Sequence, residues 1–320
     1  MKKNFLFGLF ATAMLLLTTA CQKEADLGLN TGEDGLVTIN LSTPEMATRA
    51  YSDGTMATRL QYAVYDAEGN YLPALTVTDA TINLKTKVEL QLTTGNEYTL
   101  VFWAGAPTAP YTVDFANKKM TVDYPADLVS NREDLDAFYR DTTFTVTGRM
   151  SVDLHLYRPF AQLNIGTNDY DEAKSAGYEP TKSYVKVTQL GDVLNLWNDK
   201  VEGTDAVISF DYATIPTGET FPVAGYEYLA MNYLLVDSEK EVVDIEFGYT
   251  ESDATVAKTR TVGSVPVQRN YRTNIYGQLL TSDVDINVEI KPEYKEPAYE
   301  ADALYHAAAF GGEVTLTEDV

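Results

Sequence analysis

What most restricts the fold of this chain is a long series of short apolar segments, roughly ten residues apart, broken by clusters of Gly, Pro, Asn and Asp. Residues 36–41 (LVTINL) alternate strictly, with Val37, Ile39 and Leu41 on one face, the pattern of a half-buried β-strand. Residues 60–65 (LQYAVY) run into Asp-Ala-Glu-Gly-Asn and then Tyr71, a hairpin signature. Comparable segments follow at 88–92, 98–104, 120–124, 143–147, 150–157 and 160–165. A second set occupies 184–190, 193–197, 206–212, 227–236, 242–249, 255–262, 271–280 and 284–290, after a short polar stretch of helical character at 169–177. Amphipathic helical repeats are otherwise almost absent, so the pattern predicts an all-β chain of stacked antiparallel sheets. The 22 tyrosines suit aromatic and β-branched cross-strand pairs. The expected architecture is two β-sandwiches in series, meeting near residue 168.

The first residues, MKKNFLFGLFATAMLLLTTAC, have the parts of a secretory signal. Lys2 and Lys3 form a positive start, and the apolar run 5–17 is too short to span a bilayer. Small residues then lead to Cys21, the chain's only cysteine, so no intrachain disulfide partner exists. The stretch resembles a bacterial lipobox, with the usual leucine displaced one place to Leu17. Acylation of Cys21, palmitate included, would anchor the mature chain to outer-membrane lipid at about 0.8 kcal/mol per buried methylene. Residues 22–35 (QKEADLGLNTGEDG) read as a flexible tether on the cell surface.

With 47 acidic against 24 basic residues, the net charge is −23, which disfavours binding to nucleic acid. Two histidines, His155 and His306, are too few for a Cys/His metal site, and no G-x-S-x-G motif accompanies them. The alternating oxygens of Asp283, Asp285, Asn287 and Glu289 lack the glycine of a calcium loop, and Val284, Ile286 and Val288 make the segment a strand with an acidic face. Neither a metal nor another cofactor is implied, and an enzyme is not expected. Trp103 and Trp197 are candidate glycan contacts, although apolar neighbours at strand spacing favour core packing for both.

Four segments carry a family resemblance: 98–104 (YTLVFWA), 136–139 (DAFY), 156–165 (LYRPFAQLNI) and 268–277 (QRNYRTNIYG). In that order and spacing they resemble the fimbrillin-like lipoproteins of type V pili in Gram-negative bacteria. By themselves they are strand segments in which Arg158 and Arg269 would pair with carboxylates. The resemblance implies two transthyretin-like Greek-key β-sandwiches, and a role as pilus subunit or accessory adhesin of the cell surface. It also implies maturation by a protease that cuts after arginine, releasing the first strand. Strands from other pilus subunits then fill the vacated groove by β-strand addition.

The sequence holds the matching parts. Met-Ala-Thr-Arg occurs at 46–49 and again at 56–59, directly after the first strand segment. Arg49, followed by Ala50, lies in a Ser-, Thr- and Pro-containing loop and is the better cut site, since Arg59 abuts strand residue Leu60. The competing reading is a polar loop with solubilising cations. The expected organisation is a signal peptide at 1–20, lipidated Cys and tether at 21–35, sandwiches at 36–168 and 169–295, and a tail at 296–320. In that tail a short helix at 300–310 precedes the beginning of a strand, which resembles the entry to a truncated β-helix. The rival function is a glycan-binding surface lipoprotein; a host or bacterial surface ligand fits either reading.

Overall fold

The computed structural model describes residues 35–44, 51–203, 207–251, 258–282, 286–291 and 314–317. Cys21, Arg49, Ala50, His306 and the expected helix at 300–310 lie outside the described residues. The chain is all-β. The first half forms β1 (Leu36–Ser42), β2 (Arg59–Asp66), β3 (Val77–Thr81), β4 (Lys85–Gln91) and β5 (Glu97–Gly105). β6 (Tyr111–Asp114), β7 (Lys119–Val122), β8 (Ala137–Thr145) and β9 (Met150–His155) follow. The second half begins with β10 (Phe160–Thr167), α1 (Tyr170–Ser175), β11 (Lys182–Val187), β12 (Val193–Asn195) and β13 (Val201–Glu202). It continues through β14 (Ile208–Thr214), β15 (Glu227–Leu235), β16 (Glu241–Thr250), β17 (Lys258–Val267), β18 (Arg272–Gly277), β19 (Ile286–Lys291) and β20 (Val314–Thr317).

Pairing reveals a repeat that no sequence period announces. The first unit stacks a β4-β1-β9 sheet against a β3-β2-β5-β8 sheet. The second unit repeats both orders as β15-β10-β18 and β14-β11-β16-β17. The directions match as well: β1 is antiparallel to β4 and parallel to β9, and β10 is antiparallel to β15 and parallel to β18. This is the strand order of a transthyretin-like sandwich, present twice. The second unit adds β19 beside β18, and β20 beside β19. Among the described residues no strand takes the corresponding place beside β9.

Two expectations need correction. The boundary near residue 168 is too late, because β10 opens the second sandwich between β15 and β18. Every residue of β10 is buried, as a central strand covered on both faces requires. The units are also not simply in series. Each carries an inserted hairpin, β6–β7 and β12–β13, and β7 pairs with β12 to make one shared sheet. That sheet covers the outer side of β2, β5 and β8. β2 is therefore buried on both faces, with Leu60, Tyr62 and Val64 in the first sandwich core and Ala63 and Tyr65 in the core shared with the second. The run LQYAVY, apolar except for the buried Gln61, is the sequence trace of this double burial.

Smaller details also differ. Glu289 does not lie on a solvated acidic face; its side chain is buried and paired with Lys291, while 283–285 lie outside the described residues. In the tail, β20 joins the second sandwich through β19 instead of starting a separate rung.

β1 shows the alternation that its sequence implies. Val37, Ile39 and Leu41 are at most 2% exposed, in the core of the first sandwich, while Asn40 faces solvent. The substitution Ile39→Ala is expected to lower the unfolding free energy of this sandwich by about 2–5 kcal/mol. Thr38→Ala, on the opposite face, should cost below about 0.5 kcal/mol. Chemical denaturation of the full chain checks both, and equal losses would contradict one-sided burial.

Candidate functional site

The candidate site is the slot that β1 occupies and the link behind it. β1 lies in the middle of its sheet, paired along Leu36–Ser42 with β4 and along Val37–Ser42 with β9. Its main-chain groups are thus used on both edges, and three apolar side chains fill the cleft below. Removing it would expose the apolar floor and leave unpaired N–H and C=O groups on β4 and β9, which is costly for buried groups and a template for another strand. At the end of β1, Thr43 donates its N–H to the Leu84 carbonyl (2.8 Å), and Ser42 Oγ bonds to His155 Nδ1. His155 is thereby a half-buried neighbour of β1 and not a freely solvated strand residue.

The expected cut residue Arg49 lies outside the described residues, but the chain two residues past Ala50 is fixed. Ser52 is fully buried, with a left-handed φ of 72° that disfavours a side-chain-bearing residue. Each of its polar groups has a partner. Its N–H donates to Glu133 Oε2 (2.7 Å), its carbonyl accepts from Arg158 Nη2 (2.6 Å), and its Oγ lies 3.0 Å from the Tyr233 hydroxyl. Tyr51 packs edge-on against Tyr228, with ring centroids 5.2 Å apart.

The partners of Ser52 are themselves tied together. Arg158 donates to both oxygens of Asp136, from Nε at 2.7 Å and from Nη2 at 2.8 Å, and neither side chain is more than 1% exposed. Its guanidinium also covers the Phe138 ring at 4.6 Å. Glu133 accepts a hydrogen bond from Tyr233 of β15 (3.0 Å). The anchor therefore joins the residues after the loop to both sandwiches.

The remaining sequence-derived candidates separate clearly. Arg59 is the first residue of β2, paired with Thr81 and Gly105, so a protease would have to open the sheet to reach it. Trp103 is 1% exposed and packs edge-on against Tyr111 at 5.6 Å, which rules it out as a glycan contact. Trp197 is 40% exposed, but Lys118 Nζ sits over its ring at 3.6 Å. The two tryptophans form no common platform. Arg269 reaches Asp199, an ion pair of the kind its sequence context implies. Sequence reasoning missed Ser52, Glu133 and Tyr233. The available hint was the Tyr-Ser-Asp-Gly turn between the two Met-Ala-Thr-Arg copies.

Burial, and secondarily the nearby Asp136 carboxylate, push the Glu133 carboxyl from its ordinary 4.5 up to about 8. Between those values the unfolded chain has lost this proton and the folded chain still holds it. Stability therefore falls as pH rises across that window, by at most about 1.4 kcal/mol per pH unit. The variant Glu133→Gln, neutral throughout, is expected to remove this component. Denaturation midpoints of the wild type should drop relative to the variant between pH 4.5 and about 8. Parallel pH profiles would contradict a buried, neutral Glu133.

No curated protein matches this sequence. Solved structures with a similar fold include a putative polysaccharide-binding protein from Bacteroides thetaiotaomicron, at 14% identity and a TM-score of 0.49, covering 80% of this chain and 96% of that one. A fimbrial assembly protein from Parabacteroides distasonis matches at 14% identity and a TM-score of 0.42, covering 82% and 97%. The fimbrial anchor protein Mfa2 from Porphyromonas gingivalis matches at 10% identity and a TM-score of 0.42, covering 80% and 97%. A family profile covers residues 30–309, and by that match the chain belongs to DUF6562, a family of unknown function.

Proposed function

We propose that this protein is a non-catalytic surface adhesin or pilus subunit that assembles by exchange of its first strand. The observation that carries this reading is the position of β1, held between β4 and β9 with Val37, Ile39 and Leu41 in the core and its other face towards solvent. A strand so placed supplies most of the sheet's order, yet no element crosses over it within the described residues. Cleavage after Arg49 detaches it from everything downstream. The anchor at Tyr51 and Ser52 holds the new chain end against both sandwiches. The vacated slot then offers main-chain hydrogen bonds for affinity and alternating apolar pockets for register, the two requirements of strand addition. The proposed donor is another pilus subunit. Lipid attached at Cys21 holds the precursor at the outer membrane, and residues 22–35 give it reach.

Brief digestion of the folded full chain with trypsin, read by intact mass, tests the maturation step. The expected first product is a fragment beginning at Ala50, with the bond after Arg59 intact. Early cleavage elsewhere while the Arg49 bond survives would overturn it.

A further inference from the structure

The outer face of the β14-β11-β16-β17 sheet carries aromatic and polar side chains that play no part in holding β1. Strand register sets Tyr184 beside Gly248, and Gly248 beside Thr259, on one rung. On the next rung Lys186 stands between Ser209 and Glu246. Gly248 is what gives the Tyr184 ring its place, since a Cβ there would come within 2.2 Å of it. The Tyr184 hydroxyl donates to Glu246 (3.0 Å) and lies 3.2 Å from Thr259 Oγ1. A bulge places both Asp211 and Tyr212 of β14 opposite the single residue Tyr184. Tyr212 stands edge-on to Tyr184, centroids 5.0 Å apart at 70°, and keeps 40% of its surface exposed.

Tyr184, Lys186, Ser209, Phe210, Asp211 and Tyr212 line a cleft of about 420 Å³, walled on one side by Ala126 from the first unit, within the roughly 300–1,000 Å³ of small-ligand sites. We infer that this cleft binds a neutral glycan, with Tyr212 as the platform for a sugar ring. A pyranose has a C–H face that suits an aromatic plane and a rim of hydroxyls that needs donors and acceptors together. The cleft supplies both, with Lys186, Ser209 and Asp211 around the ring of Tyr212. Lys186 Nζ is already paired with Glu246 at 2.8 Å, and Asp211 adds a carboxylate, so the site offers no net positive charge. In a chain of net charge −23, sulfated or carboxylated sugars are repelled. A peptide strand would meet an edge already taken at its middle, where Asp211 N–H donates to the Leu128 carbonyl (2.5 Å) beside the Val129–Asp211 bridge.

The test is calorimetric titration of the full chain with neutral hexasaccharides of glucose, mannose and galactose, and with a heparin hexasaccharide as the anionic arm. At least one neutral hexasaccharide should bind. Tyr212→Ala should weaken that binding about tenfold while lowering the melting temperature by only a few degrees, the loss of one aromatic pair, and Tyr212→Phe should retain both. No binding of any neutral probe at about 10 mM, tighter binding of heparin, or affinity indifferent to Tyr212→Ala would each overturn the inference. The cleft and β1 lie on different sheets, so failure here leaves strand exchange standing, and failed cleavage at Arg49 leaves the glycan site standing.

Discussion

The structure depends on how β1 is held: by hydrogen bonds on both edges and by apolar contact on one face only. Two-edge pairing makes the strand essential to its sheet, because β4 and β9 have no other connection through that sheet. One-face burial leaves Asn40, on its outer side, facing solvent. Burying Val37, Ile39 and Leu41 contributes about 1.5–3 kcal/mol each, while the opposite face makes no comparable contribution. A central strand covered on both faces would be held more tightly and could leave only if a whole layer came apart.

The second sandwich provides that contrast within the same chain. β10 holds the position equivalent to β1, with the same partners in the same directions, but all of its residues are buried. The two equivalent strands thus share their topology and differ in the covering of the outer face. The link behind the strand matters as well. The Ser52 anchor engages the turn at Glu133, the guanidinium of Arg158 and the hydroxyl of Tyr233 at once. Removing one partner of the buried Arg158–Asp136 pair would leave an uncompensated charge, so these groups stand or fall together.

What could be read from the sequence follows from the same physics. The first strand was legible almost to the residue, at 36–41 against β1 at Leu36–Ser42, because one-sided burial writes a clean alternation. The short helix within 169–177 was legible too, as α1 at Tyr170–Ser175. The unit boundary was not. Residues 160–167 alternate polar Gln162 and Asn164 with apolar Leu163 and Ile165, the pattern of a strand with one wet face, yet both polar side chains are buried, and the strand's partners lie in β15 and β18, far along the chain. The shared sheet was equally hidden, since β7 and β12 become neighbours only after both sandwiches fold. At the candidate site, a carboxylate partner for Arg158 was foreseeable, but not that it would be Asp136 with Ser52 as a third member. Trp103 and Trp197 looked alike in sequence; one is core, and the other lies beneath a lysine.

Amide hydrogen exchange tests the central claim most directly, on the full chain carrying a site-specific protease sequence within residues 45–50. The amides of β1 and β10 are compared before and after the cut, with and without excess peptide of residues 36–42. If β1 fills a slot that can be vacated, its amides are protected in the intact chain, exchange faster once the link is cut, and are replaced by the peptide. Those of β10 stay protected throughout. If β1 remains as protected as β10 after cutting and the peptide does not enter, the strand is a fixed part of the sandwich and the account is wrong.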